Sequence, residues 1–115
     1  MISPYIYPGL ESSTVLKTET FLKKVMDVIC EQKHIHEFEV LSKSRAKPLV
    51  MARHQITFIL RKKTKMSSTF IGTLLNKDHA TILHSIKLWQ DLLDTDKEIA
   101  SDHFWVMQNL NFRVN

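Results

Sequence analysis

The sequence predicts a single all-α domain built from five to six helices. Apolar residues recur every three to four positions in five successive segments, which is the spacing that places them on one face of a helix. No Asn-Gly or Asp-Gly dipeptide, the common signal of a β-hairpin turn, occurs in the chain. The 115 residues, of which 43% are apolar and 24% charged, are typical of one folded domain and argue against wholesale disorder.

The N-terminal part of the chain is expected to hold an arm followed by the first helix. Residues 1–13 contain two prolines and a glycine, which disfavour a helix and predict an extended arm. The helical domain then covers residues 14–115. Its first helix is predicted to run from Thr18, which suits an N-cap, to Gln32, and a short turn of helix is predicted over Glu37–Leu41.

Two helices are predicted after a loop in the middle of the chain. Residues 42–48 have the composition of a loop, and Pro48 suits the first turn of a helix over Leu49–Lys63. A short helix with a serine N-cap is predicted over Ser67–Leu75. Asn76 follows it and tolerates the left-handed conformation that often ends a helix.

The last third of the chain predicts two long helices. Asp78 suits the N-cap of a helix over His79–Leu93, and the segment Asp94–Asp96 ends it. The last helix is predicted over Lys97–Leu110. Its apolar anchors are expected to be Ile99, Phe104, Val106, Met107 and Leu110, and both Trp89 and Trp105 are interpreted as core residues.

Positive charge is concentrated in the middle of the sequence. From Val40 to Lys77 there are nine basic residues and no acidic residue, whereas all 12 acidic residues lie in the flanks. This distribution suits a polyanion such as a nucleic acid. A solvated cationic face without a partner is the alternative interpretation, and a membrane surface is disfavoured because the cations are spread over a loop and several helices.

Motifs of catalysis are missing from the sequence. Its two glycines cannot form a phosphate-cradling loop or a dinucleotide fingerprint, and there is no GxSxG serine motif. His34 and His36 lack a third ligand nearby, and Cys30 is the only cysteine. We therefore expect no enzyme activity, cofactor, metal or small-molecule substrate. The N-terminus does not resemble a signal peptide, which favours a cytoplasmic location.

The helices at Ser67–Leu75 and His79–Leu93, joined by a brief turn, have the outline of a helix-turn-helix. Such a motif lays its second helix in the DNA major groove. The first turn here is Lys77–Thr81, which offers a cation, an imidazole, a methyl group and a hydroxyl at the positive end of a helix. An ordinary N-cap opening a core helix is the alternative interpretation.

Several segments resemble the C-terminal DNA-binding domain of the bacterial replication initiator DnaA. Asp78–Ser85 resembles the signature Arg-Asp-His-Thr-Thr-Val-Leu-His-Ala, and Leu41–Arg45 is similar to the basic loop Leu-Ser-Lys-Arg-Arg. Val50–Gln55 is similar to Val-Ala-Arg-Pro-Arg-Gln, and Ile71-Gly72 matches an Ile-Gly pair. The resemblance extends over about residues 18–112.

The resemblance implies a compact helical fold, like the DnaA C-terminal domain or the Trp repressor, that binds double-stranded DNA as a monomer associated with the nucleoid. The implied major-groove residues are Lys77, Asp78, His79, Ala80 and Thr81. Arg45 and Lys47 are the implied minor-groove residues. The expected phosphate contacts are Lys43, Arg53, His54, Gln55, Arg61, Lys62, Lys63 and Lys87.

The function predicted from these features is sequence-specific binding of duplex DNA by a stand-alone domain without an ATPase, in replication or transcription. The alternative is a protein-interaction module whose basic face docks an acidic replication partner. A possible replication protein partner remains compatible with either interpretation.

Overall fold

The structure, a computed structural model, describes residues 12–114, with side chains for residues 20–111. Six α-helices make up this part of the chain, and no β-strand occurs within it. They are α1 (Ser12–Lys33), α2 (Glu37–Val40), α3 (Lys47–Lys63), α4 (Ser68–Leu75), α5 (His79–Thr95) and α6 (Lys97–Val114). The predicted all-α class is confirmed, with every predicted helix present.

The two terminal helices are longer than predicted. Helix α1 begins at Ser12 instead of Thr18, so the last two residues of the predicted arm are helical. The rest of that arm lies outside the described residues. Helix α6 continues to Val114 instead of ending at Leu110. No Gly or Pro occurs between residues 10 and 33 or beyond residue 96, so neither helix contains a breaker that would shorten it.

Helix α3 is the centre of the molecule. It packs against α1, α2, α4 and α5, while α6 packs against α1 and α5. Its buried face includes Ile56, Ile59 and Leu60, each at most 1% exposed. Full burial of each such side chain stabilises the fold by about 1.5–3 kcal/mol, so α3 fixes the positions of the helices around it.

A close main-chain approach sets the turn between α4 and α5. Asn76 adopts the left-handed conformation (φ 56°, ψ 48°), and the Lys77 amide donates to the Gly72 carbonyl at 2.8 Å. The Asn76 amide donates to the Thr73 carbonyl at 3.3 Å, which completes a Schellman motif. A Cβ at Gly72 would lie 2.6 Å from the Lys77 carbonyl oxygen, so only glycine fits there.

Two aromatic residues of α6 contradict the sequence interpretation. Phe104 is 64% exposed and Trp105 is 41% exposed, so neither is a core residue. The buried face of α6 is formed by Val106 and Leu110. Phe104 lies two positions before Val106, about 200° away around the helix, and therefore faces outward.

No helix of the described chain is both long and apolar enough to cross a membrane.

Candidate nucleic-acid interface

The N-terminal turn of α5 is exposed to solvent. All five residues from Lys77 to Thr81 are exposed. One carboxylate oxygen of Asp78 accepts the Thr81 amide at 2.7 Å. Hydrogen bonding from the Thr81 side chain, together with this amide bond, holds the pKa of Asp78 below its usual range. Asp78 is therefore an N-cap, as predicted, and its charge is partly satisfied by its own helix. The open amides and positive end of the helix remain directed at solvent.

Across from this turn lies the basic loop, defined here as residues 42–46 between α2 and α3. A groove of about 750 Å³ separates the two. Lys43 and Arg45 line it from the basic loop, and Lys77 and Thr81 line it from the helix-turn-helix. Among the described residues that line the groove, none is a carboxylate. The structure thus brings the two predicted recognition elements to the walls of one cationic groove.

The guanidinium of Arg53 holds the basic loop in place. Its Nε donates to the carbonyl of Val40 at 2.7 Å, and Nη2 donates to the carbonyls of Ser42 at 2.8 Å and Glu39 at 3.2 Å. Nη1 donates to the Ser44 carbonyl at 2.5 Å. Four of the five N–H donors of Arg53 are therefore occupied by main-chain oxygens. Arg53, which was predicted to contact a phosphate, therefore uses most of its donors within the protein, and the phosphate contact stays a prediction.

Hydrogen bonds between residues two or three positions apart shape the basic loop itself. The Ser42 hydroxyl donates to the Glu39 carbonyl at 2.6 Å and accepts the Ser44 amide at 3.2 Å. The Ala46 amide donates to the Ser44 hydroxyl, also at 3.2 Å. These serine bonds turn the chain so that the intervening Lys43 and Arg45 side chains are exposed. The loop thus presents its cations outward on a fixed main chain.

Lys47 occupies a different position from Arg45. Although both were predicted to enter the minor groove, Lys47 lies in the first turn of α3 and lines a second, smaller depression of about 270 Å³ together with Met51 and Trp89. Only Arg45 of the pair lines the cationic groove. The structure therefore separates the two residues that the sequence placed together.

His54 lies half-buried between α3 and α5. Its Nδ1 is 2.8 Å from the Ser85 hydroxyl, and its ring meets that of His84 edge-on with centroids 6.3 Å apart. Burial, together with the nearby His84 and Arg53, lowers the pKa of His54. The imidazole is therefore neutral at pH 7 and adds no full positive charge to the groove that it lines. Ser85, which sequence reasoning missed, follows the buried Ile82 by three positions on the same face.

Gln55, which was predicted to contact a phosphate, lies in the core. Its side chain is 1% exposed, and Nε2 lies 3.1 Å from Nδ1 of His103. The indole of Trp89 donates to the same Nδ1 at 3.3 Å. Because an indole N–H only donates, Nδ1 of His103 must accept, which requires the neutral imidazole. Burial also lowers the pKa of His103, in agreement with this arrangement.

The remaining cations predicted to contact phosphates lie on the surface. Arg61, Lys62 and Lys63 are exposed in the last turn of α3, and the Lys62 ammonium lies 5.6 Å from the centre of the Phe58 ring. Lys87 is exposed on α5 and forms an ion pair with Asp91 at 3.8 Å. A pair this exposed contributes little to stability, so the Lys87 ammonium is available to another anion.

Comparisons with known proteins match the region that contains the groove. A family model described as "Bacterial dnaA protein helix-turn-helix" matches residues 22–88, from α1 into α5. Proteins named chromosomal replication initiator protein DnaA are 32% identical over 79 residues in Bacteroides fragilis and 34% identical over 85 residues in Flavobacterium psychrophilum. The DnaA of Geotalea uraniireducens is 34% identical over 101 residues.

These three alignments cover 68%, 72% and 80% of this chain, but 17%, 18% and 22% of the relatives. The chain thus spans about a fifth of the length of the relatives that it matches.

Proposed function

This chain belongs to the bacterial DnaA helix-turn-helix family, and from that membership we propose that it binds double-stranded DNA in a sequence-specific manner, in the context of DNA replication. The observation that carries the proposal is the cationic groove, which has the exposed first turn of α5 on one side and the basic loop on the other. Duplex DNA is a polyanion with two grooves, and this arrangement offers one element to each.

In the proposed complex, the first turn of α5 enters the major groove. His79 and Thr81 hydrogen-bond to base edges, and the Ala80 methyl packs against the methyl group of a thymine. Lys77 and the open amides of the helix end bind the neighbouring phosphates. Asp78 serves mainly to cap the helix, because its carboxylate already accepts the Thr81 amide.

The basic loop enters the adjacent minor groove through Arg45. The minor groove of A·T-rich DNA is narrow and strongly negative, and an inserted arginine favours such sequences. Lys43 lies on the same loop and binds a flanking phosphate. Further phosphate contacts along the DNA backbone come from the exposed cations Arg61, Lys62, Lys63 and Lys87. The cations thus set the position of the protein on the duplex, and α5 recognises the base sequence.

In the proposed function the domain catalyses no reaction and needs no second copy of the chain. The 115 residues contain no phosphate-cradling loop for nucleotide hydrolysis, and the family motif offers one recognition helix per chain. We therefore propose that the domain binds as a monomer. A replication protein remains a candidate partner on surfaces that the DNA leaves uncovered.

Selection from a random duplex library, followed by anisotropy titrations of the selected site, tests the proposal. If about five phosphates are neutralised, the logarithm of affinity falls with the logarithm of salt concentration at a slope of roughly −4.5. His79→Ala is expected to lose about 1–3 kcal/mol of discrimination at one base pair. The matched variant Arg61→Ala weakens binding equally for all sequences. An equal loss for both variants on every sequence would refute the assignment of base recognition to α5.

A protein-interaction module is the second candidate, and the apolar edge beside the basic loop favours it. Phe38 and Leu41, one helical turn apart at α2, are both exposed large hydrophobic residues. An acidic partner with an apolar anchor would complement this edge and the cations of the basic loop. The absence of any binding to random duplex at low salt, with retention of an acidic replication protein, would select this function over DNA binding.

A further inference from the structure

Helix α5 has an exposed apolar residue outside its buried face. Its buried face consists of Ile82, Ser85 and Trp89. Leu83 points away from this face and is 47% exposed, in a row that otherwise carries polar or small side chains. Single exposed leucines are common on protein surfaces, so the position of Leu83 relative to the proposed DNA contacts decides whether it has a role.

The position of Leu83 on the helix connects it with the proposed DNA contacts. It follows Ala80 by three residues and His79 by four, the spacings that bring side chains together on one helical face. Lys87 follows Leu83 by four residues and continues the same exposed row one turn further along. Leu83 therefore lies between the first turn of α5 and a cation at the far end of the same outward surface.

The distance from Ala80 to Leu83 along the helix axis is close to the spacing of neighbouring base pairs. Three residues advance an α-helix by about 4.5 Å, compared with about 3.4 Å between successive base pairs. A helix lying in the major groove would thus bring Leu83 over the base pair next to the one that Ala80 contacts. The apolar group on a base edge in that groove is the C5 methyl of thymine.

We propose that Leu83 determines specificity by packing against the methyl group of a thymine next to the base pairs contacted by the first turn of α5. The inference rests on the proposed DNA binding and adds a residue and a base to it. Duplex DNA is favoured as the occupant because Lys77 and Lys87 flank the surface and because it continues the first turn of α5. Contact with a phosphate would not bury the leucine side chain against an apolar group.

Replacement of single thymines by deoxyuridine tests the proposal, because it removes one methyl group and leaves the hydrogen bonds of the base pair intact. Each thymine of a selected duplex is replaced in turn, and affinity is measured by anisotropy at one salt concentration. The wild-type protein is expected to lose affinity by about threefold to fivefold, the value for a buried methyl group, at the thymine that Ala80 contacts and again at the adjacent thymine that Leu83 contacts. Leu83→Ala should lose this difference at the adjacent thymine alone.

Two further variants control the experiment. Leu83→Met keeps an apolar side chain and is expected to retain the preference for thymine over deoxyuridine. Leu41→Ala removes a leucine that is likewise exposed but lies beside the basic loop, and should also retain the preference. Unfolding curves show whether Leu83→Ala keeps the stability of the wild type.

The outcomes separate this proposal from the function on which it rests. If the wild type and Leu83→Ala bind the duplex and show the same deoxyuridine effects at every thymine, Leu83 makes no methyl contact and the inference is overturned while DNA binding stands. If the wild type binds no duplex, the proposed function fails and the inference fails with it.

Discussion

Replacement of Arg53 separates a role in holding the basic loop from a role in binding phosphate. Arg53→Met removes all four hydrogen bonds to the main-chain oxygens of residues 39–44. Three of these bonds are partly buried, and the one to Ser44 is exposed. Since water replaces part of each lost interaction, a net loss of about 1 kcal/mol per partly buried bond gives a destabilisation of about 3 kcal/mol.

Urea unfolding measures this loss directly. For a domain with an m-value of about 1.5 kcal/mol/M, a destabilisation of about 3 kcal/mol lowers the midpoint by about 2 M. Arg53→Lys keeps the positive charge but lacks the planar fork that reaches several carbonyls, so it is expected to lose most of the same stability. Arg61→Lys is the matched control, and its midpoint should stay within about 0.3 M of the wild type because exposed substitutions cost little.

An unchanged stability of Arg53→Met would refute the role of Arg53 in holding the basic loop. If Arg53 bound a phosphate, Arg53→Met would leave the urea midpoint unchanged, and the slope of log affinity against log salt would become shallower by about 0.9. Arg53→Lys would then keep most of the affinity, since lysine also neutralises a phosphate.

Three other perturbations follow from the structure. Gly72→Ala is expected to destabilise the domain by about 1–3 kcal/mol in urea unfolding, because the new Cβ meets the Lys77 carbonyl oxygen at 2.6 Å. The same contact displaces the start of α5 and should weaken base discrimination. Unchanged stability would contradict this reasoning. Asp78→Ala should lower the Tm whereas Asp78→Asn largely retains it, since asparagine also caps a helix. Stability should fall as the pH drops below about 6.5, where unfolded histidines take up protons that folded His54 and His103, with their lowered pKa values, resist. Urea midpoints between pH 8 and 5 measure this, and His54→Gln or His103→Gln should each reduce the dependence.

Local rules predicted the elements that carry the interface. Asp78 and Ser67 cap their helices as expected, because a side-chain oxygen that accepts a first-turn amide needs only residues three apart. Asn76 ends α4 in the left-handed conformation for an equally local reason. The helix-turn-helix was therefore predictable from short stretches of sequence.

The contacts that could not be predicted from the sequence join residues far apart in the chain. Arg53 lies in a basic stretch, and nothing local indicates that it reaches carbonyls 9 to 14 positions earlier. Gln55 is bonded to His103, 48 positions later, so its burial could not be predicted from its own helix. The predicted phosphate contacts of both residues followed a family pattern, whereas their hydrogen bonds within the protein depend on tertiary packing.

The anchoring of the basic loop has a consequence for how its recognition properties can change. Arg53 bonds only to main-chain oxygens, which every amino acid supplies. The residues at positions 43 and 45 can therefore be substituted while the path of the loop stays the same. Position 53 determines the path of the loop, whereas positions 43 and 45 determine the side chains that it presents. The recognition properties of the loop can therefore change in evolution without a change in its main chain.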